Sequence, residues 1–189
     1  SLLTTNLFFS SKTKSDQKSL CHENDIMMKI FLLTHERELN RATNTGTIAI
    51  ENANHIVERI IWQRVNPNKN LVQLIENNDA ILLYSKEELS LETPILNPQT
   101  APLSLNDYEN IIIIDSTWQE ANKIFNQSPY LKNASYFTLK PENTSLYNLR
   151  ANQPKGGLCT IECIIEVLKL KGQNKTAAAL LLKFIEFNG

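Results

Sequence analysis

The chain has 189 residues, 19 basic and 20 acidic side chains and a formal net charge of −1, with 42% apolar and 21% charged residues. That is the composition of one ordinary domain, long enough to bury roughly two-thirds of its unfolded surface, and the near-zero charge argues against holding nucleic acid by bulk positive charge alone. Its five glycines, at 46, 156, 157, 172 and 189, allow neither GxGxxG nor GxxxxGKS/T, which excludes the two commonest phosphate-cradling loops.

In chain order, residues 1–28 read as a tail or irregular lead-in, and the domain is expected over 29–189. Ser1–Ser11 lacks the basic start and the A-x-A site of a signal peptide, so none is expected. Met28–Leu33 (MKIFLL) suits a buried strand, and His35–Asn40 a short helix. Arg41–Gly46 is a polar loop, alternatively a helix end closed by glycine. Asn52–Glu58, with His55, reads as an exposed helix and Ile60–Val65 as a strand. Leu71, Leu74 and Ile75 give Asn70–Asn77 a helical face, and Ala80–Tyr84 is a further strand. Residues 85–107 carry three of the seven prolines and read as a long surface connection or lid.

Asn110–Ile114 (NIIII) is the strongest strand signal, apolar on both faces like a central strand covered on both sides. A helix from about Ser116 to Asn126, a strand at Ser135–Leu139 and a loop from Pro141 to Gly157 follow. The helices Leu158–Leu170 and Lys175–Phe187 carry apolar stripes at 158, 161, 164, 165 and 168 and at 177, 180, 181, 184 and 185. Strands alternating with helices imply an α/β fold, a mainly parallel sheet with helices on both faces. Three cysteines are too few for a disulfide framework, and no CxxC or HExxH occurs. No stretch reaches the roughly 18 apolar residues of a membrane span. A reducing, cytoplasmic setting is the default expectation.

Ligands of open α/β sheets sit at the carboxyl ends of the strands. After Ile111–Ile114 come Asp115, Ser116, Thr117 and Trp118: a carboxylate, two hydroxyls and an aromatic ring leaving a buried strand together. The same residues suit a plain helix cap, since Ser116 with Gln119 and Thr117 with Glu120 both fit the capping-box spacing. Gly156–Glu162 is a second candidate, with paired glycines before a helix start; Arg41–Gly46 is a third. Three loops at the ends of different elements fit a composite pocket.

The run Ile111–Lys123, containing Asp115-Ser116-Thr117-Trp118, resembles the signature of the DTW-domain family. Leu33–Glu38 with Arg41 and Thr43–Gly46, Trp62–Arg64, Leu82–Tyr84, Ser128-Pro129, Tyr147–Arg150 and Leu158–Glu162 agree with it in order and spacing, so the resemblance covers about residues 29–185. It implies a tRNA-uridine aminocarboxypropyltransferase with a SPOUT-like fold and a trefoil knot in the carboxyl-terminal half. S-adenosylmethionine would be co-substrate, its 3-amino-3-carboxypropyl group passing to N3 of a tRNA uridine with release of 5′-methylthioadenosine. Asp115 and Trp118 would be catalytic. Thr45, Gly46, Leu83, Tyr84, Ser116, Thr117, Trp118, Leu158, Thr160 and Glu162 would hold the cofactor. Arg41, Arg64, Arg150 and Lys155 would meet RNA. Asp115 is a base for the uridine N3 proton or an anchor for the cofactor's amino group, and each arginine has the alternative of a surface ion pair. His35 lies in a family-like segment.

The sequence departs from the family pattern in three places: Ser116 fills the middle of the DTW-like motif, Cys159 and Cys163 replace a Ser and an Ala, and Cys21 and His22 alone stand where many members carry a cysteine-rich element. No metal is therefore expected, and no membrane partner; monomer and dimer remain open. Alternatives are a SPOUT-type RNA methyltransferase and a non-catalytic RNA-binding paralogue. Charge is split along the chain. Residues 1–118 hold 10 basic and 15 acidic groups, and residues 119–189 hold 9 and 5. The basic part, including Lys155 and Lys171, suits a local, salt-sensitive track for tRNA phosphates.

Overall fold

The computed structural model describes residues 27–84, 104–139, 145–146 and 158–189. Among them are strands β1 (Lys29–Thr34), β2 (Val57–Ile61), β3 (Ala80–Leu83), β4 (Asn110–Asp115) and β5 (Ser135–Phe137). The helices are α1 (Gly46–Asn52), α2 (Lys69–Glu76), α3 (Trp118–Asn126), α4 (Pro129–Lys132), α5 (Thr160–Leu170) and α6 (Asn174–Asn188). The strands form one sheet in the order β2-β1-β4-β3-β5, every neighbouring pair parallel.

Alternation along the strands divides the core into two layers. Ile30, Leu32, Ile81, Ile111 and Ile113 face one layer, with residues of α1, α5 and α6. Phe31, Leu33, Leu82 and Ile112 face the other, with residues of α2, α3 and α4. Ile111 and Ile112 both have no exposed surface, so the NIIII run is apolar on both faces because both faces are covered. Each such side chain contributes about 1.5–3 kcal/mol relative to exposure.

Several boundaries differ from expectation. β2 runs over Val57–Ile61, not Ile60–Val65. It tolerates two charged residues because Glu58 is exposed at an edge of the sheet and Arg59 reaches an acid on β4. Residues 54–56 are a turn in place of a helix, with Ile56 fully buried and His55 exposed. Gly46 opens α1 and does not close a preceding helix. The expected helix at His35–Asn40 is a 3-10 turn over Glu36–Glu38. α4 was not anticipated; its signal is Pro129 at the first helical position after Ser128. α5 ends at Leu170, and Gly172 just beyond the capping Lys171 has a φ of +76°, the left-handed conformation of a helix-terminating glycine. Most of the 85–107 connection, and most of the Pro141–Gly157 loop, lie outside the described residues.

From β1 the chain crosses to β2 through α1 on one face of the sheet. From β4 it leaves through α3 and α4 on the other. Connections leaving neighbouring strands on opposite faces create a crevice at their carboxyl ends, the usual ligand position in open α/β sheets. Here that crevice lies between Thr34 and Asp115, which are paired in register.

Candidate functional site

Asp115 ends β4 with only 2% of its surface exposed. Its Oδ1 accepts a hydrogen bond from Thr160 Oγ1 on α5 (2.9 Å). Its Oδ2 accepts from Thr34 Oγ1 on β1 (3.0 Å) and from Asn44 Nδ2 (3.2 Å). Arg59 Nη2 on β2 completes an ion pair with the same oxygen at 3.4 Å. Donors from four separate segments thus meet on one carboxylate, three of them on Oδ2 and one on Oδ1.

The loop before α1 closes over this carboxylate. Asn44 Oδ1 accepts from Thr47 N (3.1 Å), capping the helix, and from Arg59 Nη2 (3.3 Å). Thr45 Oγ1 accepts from Ile161 N (3.2 Å), joining the start of α1 to that of α5. Gly46 sits so close that a Cβ there would lie 2.8 Å from Asp115 Oδ2 and 3.0 Å from its Cγ. The position requires glycine for want of space.

The three residues after Asp115 have separate tasks, Ser116 and Thr117 half-buried and Trp118 exposed. Ser116 Oγ donates to Thr117 O (3.2 Å), and Thr117 Oγ1 caps α3 by accepting from Glu120 N (3.3 Å). Trp118, the first residue of α3, leaves 42% of its surface exposed beside the buried acid. Leu83 and Tyr84 are buried at the end of β3. The Tyr84 hydroxyl donates to Asn122 Oδ1 (3.0 Å), its ring lies 4.7 Å from Phe125, and its backbone N–H donates to Phe137 O (2.9 Å).

At the start of α5, Glu162 is held within the chain, accepting from Cys159 N (3.1 Å), Leu146 N (2.9 Å) and Ser145 Oγ. Burial and the neighbouring Glu162 carboxylate push the Cys159 thiol up to about 12. Leu158 is half-buried just before this turn. Arg41 is tied to the buried Glu38 at 2.8 Å, while Arg64 is exposed on the loop after β2. Arg150 and Lys155 lie outside the described residues. Lys171 is not a free surface charge: its Nζ donates to Leu105 O (2.8 Å) and to Tyr108 O, beside the amino end of β4 and away from Asp115. Burial lowers its pKa, partly offset by Glu109 and Asp107. Among the described residues no group of three His, Cys, Asp or Glu side chains is placed to hold a metal ion, and no helix is long and apolar enough to cross a membrane.

Residues 14–188 match the DTW domain. The chain belongs to the DTW-domain family. It is similar to tRNA-uridine aminocarboxypropyltransferase 2 of Macaca fascicularis, with 24% identity over 168 residues. That alignment covers 86% of this chain and 54% of the relative, so the chain spans about half the length of the curated protein it matches. No solved structure matches it significantly. In this DTW domain the signature acid is the buried centre of a polar hub, its hydroxyl neighbour caps a helix, and its tryptophan is the exposed member.

The hub brings together Gly46, Asp115 and Thr160, with Thr45 beside them; all four were singled out from sequence. Thr34, Asn44 and Arg59 were not. Arg59 had one available signal. It shares a strand face with buried Val57, and a cation on an inward face needs an acid opposite it.

Proposed function

We propose that this DTW domain transfers the 3-amino-3-carboxypropyl group of S-adenosylmethionine to N3 of a uridine in tRNA, releasing 5′-methylthioadenosine. The observation that carries the reading is the DTW match over residues 14–188, whose signature acid stands in the carboxyl-edge crevice of a parallel sheet. The relative's name, a tRNA-uridine aminocarboxypropyltransferase, supports the substrate and the group transferred. A SPOUT-like fold is the corresponding reading of the sheet. It is supported by the all-parallel order β2-β1-β4-β3-β5 and by the return of the chain from edge strand β5 to α5, which packs against α1 and β4. The trefoil knot belongs to the same reading.

In the reaction a bond forms between uridine N3 and the γ-carbon of the methionine moiety. The bond from that carbon to sulfur breaks with its electron pair going to sulfur, and the N3 proton passes to solvent water. The sulfonium is already a good leaving group, so the protein's main task is orientation. The half-exposed Trp118 fits a sulfonium-bearing ligand, since an indole face attracts a cation. Backbone groups around Thr45–Gly46, Leu83 and Leu158–Thr160 converge on the same edge and suit adenosine and the amino acid moiety.

The burial of Asp115, with three donors on Oδ2 and one on Oδ1, supports an anchoring role over that of a base, which must reach the N3 proton with an open lone pair. In this reading Asp115 fixes the loops that shape the pocket. Arg41, Arg64, Arg150 and Lys155 are proposed for phosphates or the cofactor carboxylate. The test is incubation of the chain with bulk tRNA and S-adenosylmethionine, followed by mass spectrometry of nucleosides and of the adenosine product. Aminocarboxypropyluridine with methylthioadenosine is expected. Methylated nucleosides with S-adenosylhomocysteine would assign a methyltransferase, and an unmodified pool would refute both.

A further inference from the structure

Two loops leave neighbouring strands with the same arrangement. β1 ends at Thr34 and is followed by His35 and then Arg37; β2 ends at Ile61 and is followed by Trp62 and then Arg64. Thr34 pairs with Ile61, so the parallel register brings His35 beside Trp62. Their ring centroids are 5.6 Å apart, with the planes tilted by 33°. Both residues are half-buried, whereas Arg37 and Arg64 are exposed. Neither arginine enters an ion pair among the described residues.

The pair is held in place. Trp62 N donates to Thr34 O (2.8 Å), and its indole Nε1 donates to the hydroxyl of the buried Ser128 (2.8 Å). His35 Nδ1 accepts from Arg37 N (3.2 Å). Ser128 thus clamps one edge of the indole, while the Asp115 hub begins one residue before His35, at Thr34.

We propose that His35 and Trp62 form a stacking platform for an unpaired nucleobase of the RNA substrate, with Arg37 and Arg64 meeting the phosphates on either side. This rests on the reading of tRNA as substrate. N3 lies on the pairing edge of uridine, so the target must leave any duplex before it can react, and it loses stacking as it does so. An aromatic face restores that stacking, as in proteins that splay single-stranded RNA. An indole held beforehand by its Nε1 hydrogen bond to Ser128, on a backbone tied to Thr34, loses little freedom on binding. Aromatic rings interleaved with exposed arginines at the mouth of the crevice supply both the base contact and the phosphate contact.

The test compares Trp62→Leu, Trp62→Phe and Arg64→Ala in the full chain. The readouts are fluorescence anisotropy with labelled total tRNA across a salt series, and calorimetry with S-adenosylmethionine. Trp62→Leu is expected to weaken tRNA binding about 10-fold or more with an unchanged salt slope, and Trp62→Phe to stay within about 3-fold of the parent. Arg64→Ala should reduce the salt slope by about 1. S-adenosylmethionine affinity should be unchanged in the two Trp62 variants. A folded Trp62→Leu with parental tRNA affinity overturns the platform, as does one that loses only S-adenosylmethionine, which would make the ring a cofactor contact. Should Trp62→Leu not fold, His35→Ala carries the comparison: a loss of at least about 3-fold supports the platform and parental affinity overturns it. A parent chain that fails to bind tRNA at low salt refutes the RNA reading itself, an outcome distinct from a parent that binds and a variant that binds equally.

Discussion

Replacing Gly46 by alanine tests the packing of the hub most directly. The new Cβ would stand 2.8 Å from Asp115 Oδ2 and 3.0 Å from Cγ and Oδ1, against an ordinary contact of 3.4–4 Å. Relieving it requires a shift of about 0.6 Å, enough to carry the Thr34 and Thr160 bonds, now 3.0 and 2.9 Å, to the limit of hydrogen bonding. Overpacking of this kind costs about 1–3 kcal/mol, and loss of one hydrogen bond to a charged group about 1.5–3 kcal/mol more. Set against this is a gain of about 0.5–1 kcal/mol from placing alanine in a helix. A net loss of about 1.5–5.5 kcal/mol follows, or roughly 3–22 °C in melting temperature for a chain of this size. Urea unfolding of Gly46→Ala, Asp115→Ala and the double variant measures the coupling. With the carboxylate gone the methyl has room, so Gly46→Ala should become neutral or stabilising there, a coupling energy above about 1 kcal/mol. Equal losses in the two backgrounds would refute the reasoning.

Three further outcomes are expected. Asp115→Asn keeps the acceptor facing Thr34, Asn44 and Arg59 and lets the Thr160 hydroxyl turn to accept, so it should lose at least about 1 kcal/mol less stability than Asp115→Ala, which strands a largely buried Arg59; equal urea midpoints would count against this. Trp118→Ala, at a 42% exposed site, should change stability by less than about 1 kcal/mol while lowering aminocarboxypropyl transfer at least about 10-fold, measured by methylthioadenosine release. Cys159, pushed up to about 12 from 9.0, should resist alkylation at pH 8 in the native protein, as peptide mass spectrometry would show. Because the folded form holds its proton more tightly than the unfolded form, this group's contribution to stability is full below pH 9.0 and is lost between there and about 12, which melts across that range would reveal.

The parts of the fold legible in the sequence are those dictated by burial alone. Ile111–Ile114 read as a doubly covered strand, and of the two helical stripes 161, 164, 165, 168, 177, 180 and 184 are buried, whereas Leu158 and Leu181 are half-buried and Ile185 is 52% exposed. β2 was misplaced because Ile60-Ile61-Trp62 is the apolar cluster, whereas the strand starts earlier and holds Arg59, whose place depends on an acid two strands away. α1 was missed because glycine opens it, for a reason set by Asp115 and not by helix propensity. The same holds for the site. Asp115, Gly46 and Thr160 could be named from motifs. Thr34, Asn44 and Arg59 join them only through strand register and the approach of the loop before α1, which local spacing does not encode.

The Asp115 hub also bears on how the chain reaches its native state. Its partners stand 81, 71, 56 and 45 residues away along the chain, and the Thr45 contact to Ile161 spans 116. Every one of those loops must close before the carboxylate is satisfied, and such long closures are slow. The hub is complete only once α5 has docked, since Thr160 supplies the one donor to Oδ1. A ligand seated at this edge would bind the finished state and draw the population towards it. Substrate would then act as the last clasp of folding as well as the object of the chemistry.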